Sequence, residues 1–189
     1  MTQTKKRIKN DAYYTPAAAL TKILLKHVDI AGTVCEPCVG KGHIAYTLTE
    51  HGLDVVSADI DINNDYPSLL GYDATKQSSW SEVITLSTQP DWTITNPPYR
   101  QPDCQKIIEN AWRFSKTGIA MFLRLSYLEP TNGQAEFLKN NALSHLIIVN
   151  PRPQFRTDTK STDSCTSAWF VWQHDWQDNT QIIYETEWR

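Results

Sequence analysis

Four consecutive residues, Asn96-Pro97-Pro98-Tyr99, stand directly behind the short run Trp92-Thr93-Ile94-Thr95 and could do specific chemistry. The Asn96 amide oxygen is a hydrogen-bond acceptor. The Pro97 carbonyl is a second acceptor, aimed by a ring that fixes φ and removes the backbone donor. Two acceptors held at one corner suit a planar NH2 group. Pro98 extends the rigid wall, and Tyr99 offers a flat face on which a planar ring can stack. Adjacent prolines can neither continue a central strand nor start an ordinary helix without a break, so the stiffness of this corner calls for a use beyond capping a strand.

Three further groups could hold a ligand beside that corner. In Glu36-Pro37-Cys38-Val39-Gly40-Lys41-Gly42 a strand end runs through two glycines into a helix, so the backbone can turn tightly and pass close to a ligand at the helix start. The third glycine of the dinucleotide fingerprint and the Lys-Ser/Thr of a phosphate loop are both missing, which argues against pyrophosphate and triphosphate ligands. Asp59, at the end of the next strand, can accept hydrogen bonds from two ribose hydroxyls; Asp61 is the competing carboxylate, with Ile60 between them. Asp73, in the segment 71–75, could reach the exocyclic amine of an adenine ring.

The elements that must position these groups alternate along the chain. β-branched or apolar runs at 33–38, 55–60, 92–96, 118–126, 145–150 and 167–174 predict strands. Segments 15–27, 42–52 and 103–115 predict helices, the first with Thr15 as N-cap and Pro16 at its first position, the second ended by Gly52. Such alternation is the pattern of a parallel sheet covered by helices, and 71–75 should hold one more short strand or strand end. Segments 126–134 and 150–165 show no regular pattern. Both follow strands, so they should emerge at the carboxyl edge of the sheet, where ligands bind. Arg100, Arg124, Arg152, Arg156 and Lys160 lie in or next to segments expected at that edge, which makes them the candidates for phosphate contacts. Arg124 interrupts the apolar run 121–126 and should point into a cleft or at a carboxylate.

A chain of 189 residues, 40% of them hydrophobic, is the size of one domain spanning 1–189, with about the first eleven residues as a mobile lead-in. A net charge of −3 excludes coating of nucleic acid by bulk attraction, so any such contact must be local. With no long apolar window and no apolar stretch behind the basic run 5–9, the chain reads as soluble and cytoplasmic. Cys35 and Cys38 form a C-x-x-C pair, but Cys104 and Cys165 are single, so a zinc ribbon has no second pair and no metal site is expected. The pair reads as two small residues in a tight loop ahead of a thioredoxin-type redox motif. Among the tryptophans, Trp169 reads as core.

Taken together, these residues resemble the amino-group methyltransferases that use S-adenosylmethionine, most closely the N6-adenine DNA methyltransferases. Asn96-Pro97-Pro98-Tyr99 matches their catalytic tetrapeptide, (D/N/S)-P-P-(Y/F). Glu36-Pro37 through Gly40 and Gly42 matches their methionine-side loop, and Asp59 their acidic ribose position. Tyr13-Tyr14-Thr15-Pro16 looks like the segment that closes over the methionine end of the cofactor, and 163–172 is similar to the last strands of phage-type members. The resemblance implies a Rossmann-like class I methyltransferase fold, α/β, with a mostly parallel seven-stranded sheet, its last strand antiparallel, and helices on both faces. It also implies S-adenosylmethionine as cofactor and a flipped adenine in DNA as substrate. The stretch between Gly42 and Asn96 has no room for a separate target-recognition domain, so specificity would be short, relaxed, or supplied by segments 126–143 and 150–166. The alternatives are an RNA base, a protein glutamine, or a catalytically silent partner subunit with the same fold.

Overall fold

The computed structural model describes residues 18–86, 89–153 and 165–187. In chain order the elements are α1 (Ala18–His27), β1 (Thr33–Glu36), α2 (His43–Glu50), β2 (Asp54–Asp59), β3 (Leu69–Leu70), α3 (Gln77–Leu86), β4 (Trp92–Thr95), α4 (Asp103–Phe114), β5 (Gly118–Arg124), α5 (Asn132–Asn140), β6 (His145–Val149), β7 (Ser167–Gln173) and β8 (Gln181–Glu185). The strands form one sheet in the order β3-β2-β1-β4-β5-β7-β6-β8. All neighbours are parallel except β7, which runs antiparallel to both β5 and β6. The expected antiparallel strand is therefore β7. An eighth strand, β8, adds a parallel edge beside β6.

Helices cover both faces. On one face α1 and α2 bury Leu20, Ile23, Leu24, Ile44 and Leu48 against Val34, Trp92, Ile94, Phe122 and Trp169. On the other, Trp80 of α3, Ile107 and Ile108 of α4 and Phe137 of α5 pack on Ile119, Met121, Leu123, Phe170 and Trp172. Successive β5 residues point to opposite faces, so both sets need apolar partners and the strand reads as one continuous apolar run. Trp169 is fully buried, as its sequence context implied, and its indole N–H donates to the Leu20 carbonyl at 2.8 Å.

The amino ends of the central strands are stapled by one side chain. Asp91 accepts from the Thr33 backbone N–H at 2.8 Å, from the Thr33 hydroxyl at 3.0 Å and from Lys116 Nζ at 3.0 Å. Its own N–H donates to the Thr33 carbonyl. These contacts join the starts of β1, β4 and β5. At the sheet edge, Glu185 of β8 accepts from Lys26 at 2.7 Å and pairs with His27 at 3.1 Å, tying α1 to the last strand and holding that carboxyl down near 2.

Several elements differ from expectation. Segment 126–134 is a 3-10 turn, Leu125–Leu128, followed by the start of α5. Thr131 and Gln134 form a capping box there, a signal present in the sequence and masked by Pro130 and Gly133. Residues 71–75 are a turn, and the short strand lies just before them at Leu69–Leu70. α3 and β8 were not foreseen. The first predicted helix is observed from Ala18; its proposed cap, Thr15 and Pro16, lies outside the described residues, as does 154–164.

Asp91→Ala should lower the urea unfolding free energy by about 1–3 kcal/mol at neutral pH, because it orphans the Thr33 donors at a half-buried site. The Thr33 backbone bond, then Lys116, holds the folded Asp91 carboxyl below its ordinary 3.8. Its stabilisation is thus full above that value and lost as pH falls through the lower folded one, so mutant and wild-type unfolding curves should converge at acid pH.

Candidate active site

β1 is flanked by β2 on one side and β4 on the other, so the chain changes direction across the sheet between β1 and β4. In an open α/β sheet a crevice opens at the carboxyl ends of the strands at such a point. The loop after β1, residues 37–42, and the corner after β4, residues 96–102, leave the sheet on two sides of that crevice.

The β1 loop is held by backbone bonds and one carboxylate. Val39 N–H donates to the Ala58 carbonyl at 3.0 Å, and Gly42 N–H to the Val39 carbonyl at 2.8 Å. Gly40 N–H donates to Asp59 Oδ2 at 2.8 Å, while the other Asp59 oxygen accepts from Asp61 N–H at 2.8 Å. Gly40 and Gly42 have φ of 52° and 76°, in the left-handed region that L side chains avoid. Tyr66 closes over Gly42: a Cβ there would lie 2.0 Å from its ring. The Tyr66 hydroxyl bonds to the Ser57 side chain.

Glu36, at the end of β1, is 1% exposed. It accepts from the Ala45 N–H in the first turn of α2, and its Oε2 atom has no hydrogen-bond partner among the described residues. Burial pushes its carboxyl well above the usual range, the Ala45 bond pulls the other way, and the Asp59 charge adds to the rise. A buried acceptor without a donor is costly, and a cationic ligand group would supply one.

On the other side of the crevice, Pro97 is buried and Asn96, Pro98 and Tyr99 are half-buried. The Tyr99 hydroxyl donates to Asn96 Oδ1 at 2.8 Å. The Arg124 guanidinium lies over the Tyr99 ring, its Cζ 5.0 Å from the centroid.

Solved structures share this fold. A protein of Listeria monocytogenes assigned as a class I S-adenosylmethionine-dependent methyltransferase superposes with a TM-score of 0.63 at 14% identity, covering 97% of this chain and 68% of that one. A modification subunit assigned to a type I restriction enzyme of Vibrio vulnificus YJ016 superposes at 0.59 and 13% identity over 93% of this chain, which spans 47% of that subunit. A protein of Agrobacterium tumefaciens assigned as an O-methyltransferase superposes at 0.58 and 14% identity, covering 90% and 85%. The chain has the class I methyltransferase fold. No protein family model matches the chain, and neither does any curated protein. At these identities the likeness concerns the fold alone.

Within this class I methyltransferase fold the structure brings together Glu36, Pro37, Gly40, Gly42 and Asp59 at the first loop and Asn96 to Tyr99 at the second. Ile60 follows Asp59 and is 58% exposed. Of the two competing carboxylates, Asp59 bonds the glycine loop, whereas the exposed Asp61 accepts from Asn63. Asp73 is engaged in its own turn, accepting from the Thr75 N–H and hydroxyl and pairing with Lys76 at 3.2 Å. Burial opposes its ionisation, but the Thr75 and Lys76 contacts prevail and hold its carboxyl below the ordinary value. Arg100 is exposed and ion-paired with Asp103, and Arg152 is exposed just after β6. Tyr14, Thr15, Pro16, Arg156 and Lys160 lie outside the described residues.

Cys35 and Cys38 are unpaired thiols. Burial, and then Glu36, pushes Cys35 up to about 12, and burial raises Cys38 as well, the opposite of what a reactive thiol needs. Among the described residues no group of His, Cys, Asp or Glu is placed to hold a metal ion, and no helix is long and apolar enough to cross a membrane. The residues that sequence reasoning missed are Tyr66 and Ser57, which brace Gly42. No spacing rule marks an aromatic that reaches its partner through a folded-back loop.

Gly42→Ala should destabilise the protein by about 1–2 kcal/mol from backbone strain alone, with the Tyr66 clash added. Urea unfolding of the same substitution in a Tyr66→Ala background should recover the steric part only.

Proposed function

We propose that this chain transfers a methyl group from S-adenosylmethionine to the exocyclic N6 amino group of adenine in DNA. The observation that carries the reading is the parallel pairing of β1 with β4, which sets the glycine loop and the Asn96-to-Tyr99 corner on two sides of one crevice. Cofactor loop and amine-accepting corner are what such a transfer needs side by side.

The residues present fit the cofactor. Glu36 Oε2 is a buried acceptor with no donor among the described residues, and the ammonium of the methionine part would be one. Gly40 and Gly42 present backbone without side chains. Asp59 has a backbone donor on each oxygen and keeps further lone pairs for ribose hydroxyls, with the exposed Ile60 beside it for the purine face. Asp73 is the further acceptor for the adenine amine, and Tyr14, Thr15 and Pro16 complete the methionine side on the strength of the resemblance. When bound, S-adenosylmethionine supplies a methyl group already activated by its sulfonium.

What remains for the protein is to aim the acceptor nitrogen. The adenine N6 lone pair is delocalised into the ring, so it is a poor nucleophile while planar. Asn96 Oδ1 and the Pro97 carbonyl would accept its two hydrogens, which favours a tetrahedral nitrogen and the positive charge that develops on it. No prior deprotonation is required. Tyr99 would stack on the base and offset the few kcal/mol that unstacking costs. Arg100, Arg124 and Arg152, with Arg156 and Lys160, are the proposed phosphate contacts. The modification subunit of a restriction enzyme among the structural neighbours supports a DNA substrate.

The test is methyl transfer from labelled S-adenosylmethionine to duplex DNA, single-stranded DNA and RNA in parallel, with nucleoside analysis of the product. N6-methyladenine should form in DNA, and Asn96→Ala should lower its rate by about 10²–10³ while cofactor affinity is unchanged. Label in RNA alone, or in no nucleic acid despite cofactor binding, overturns the reading.

A further inference from the structure

We propose that Tyr66 is a gate on the cofactor site: its side chain lies across Gly42 and Ser57, closes the Glu36 carboxyl off from solvent, and swings away before the ammonium of S-adenosylmethionine can meet that carboxyl. The inference rests on the proposed pairing of Glu36 with the ammonium.

Three neighbours fix where the Tyr66 side chain runs. Glu36 ends β1 and stands opposite Ser57 of β2, so the two side chains leave the sheet on the same face. That face is the one α2 covers, because Glu36 accepts from the Ala45 N–H, and Gly42 directly precedes the helix. Tyr66 packs its ring on Gly42 with no room for a methyl group between them, and it carries its hydroxyl to the Ser57 side chain. A side chain that spans Gly42 and Ser57 crosses the line along which Glu36 leaves β1. The phenol responds to this setting: burial raises it first, and the Glu36 charge second.

Glu36 is 1% exposed beneath this cover, and its Oε2 atom has no hydrogen-bond partner among the described residues. A carboxyl sealed permanently in that state would only destabilise the fold. Sealed by a side chain that can leave, it is instead held ready for a donor that arrives with the ligand.

The cover hangs on a segment suited to moving as one piece. Within residues 60–68 the bonds are local: Asn63 N–H donates to Asp61 Oδ1, Asn64 N–H to the Asp61 carbonyl, Tyr66 N–H to Asn64 Oδ1, and the Ser68 hydroxyl to the Tyr66 carbonyl. Ile60 and Ile62 are exposed, so the segment buries little apolar surface that a swing would have to uncover. Among the described residues, Tyr66 meets the body of the fold through one hydroxyl contact and through packing on a residue with no side chain. Both are surrendered by a single rotation of the segment.

A gate and a fixed wall predict opposite signs. Opening a gate opposes binding, so weakening the closed state raises apparent affinity; weakening a wall that touches the cofactor lowers it. Tyr66→Phe and Ser57→Ala should each tighten S-adenosylmethionine binding by about threefold to tenfold in calorimetric titration, and the double variant should be no tighter than either. Stopped-flow traces should assign the gain to faster association. Unchanged or weaker binding in either variant overturns the gate.

Carbodiimide coupling of glycine ethyl ester to the ligand-free protein, read by peptide mass mapping, gives a readout that needs no cofactor. Glu36 should be labelled about threefold or more faster in Tyr66→Ala than in wild type, with the exposed Glu50 unchanged as reference. If wild type binds no S-adenosylmethionine, the pairing with the ammonium falls by itself. Faster labelling then still upholds the cover over Glu36, and equal labelling overturns it.

Discussion

The parallel pairing of β1 with β4 is the constraint on which the rest of the structure depends. These two strands are the hinge of the topology, since the chain runs outward from them in opposite directions across the sheet. Their contact is only a few residues long, with Val34 opposite Trp92 and Cys35 opposite Thr93. Asp91 compensates for that brevity by bonding both the backbone and the hydroxyl of Thr33, so the two strands enter the sheet in fixed register. A slip by one residue of either strand would turn the residue at its outgoing end, Glu36 or Asn96, to the wrong face. The placement of the crevice walls is therefore decided at the far end of the strands.

Two carboxylates organise the first wall by different means. Asp59 acts through its oxygens, which pin Gly40 on one side and Asp61 on the other, so the glycine loop and the β2 loop move as one piece. Glu36 acts through its burial. It bonds the start of α2 with one oxygen, and its other oxygen has no hydrogen-bond partner among the described residues, so that buried atom is costly until a donor meets it. Both groups lie within reach of the same loop, and the Asp59 charge adds to the cost of ionising the buried Glu36. A bound cation would relieve that cost.

Most of the architecture was legible because a sheet buried on both faces demands unbroken apolar runs, and residues 118–124, 145–149 and 167–173 are such runs. The corner at Asn96 was legible because two prolines in succession have few uses. The outer elements were not. β8 carries Ile182 and Tyr184 exposed on one face and Ile183 and Glu185 on the other, so it lacks the inside-outside contrast that marks a strand. β3 is two residues long and owes its pairing to the loop around it. α5 begins behind Pro130 and contains Gly133, which together disguised a sound capping box. Tyr66 was beyond sequence reasoning in a stricter sense, because its contacts exist only once separate segments have folded back to meet.

Gly42 carries a burden of a different kind. Its φ of 76° excludes ordinary side chains, and the Tyr66 ring fills the space where a methyl group would go. Every non-synonymous codon one base away from a glycine codon specifies a residue with a Cβ or ends the chain. No single-base step leads off this position without strain and collision together, and the escape that would relieve the collision must happen first at residue 66. Lineages descended from this protein are thus held at glycine by the order in which mutations arise, and position 66 is free to drift only toward smaller side chains before position 42 can follow.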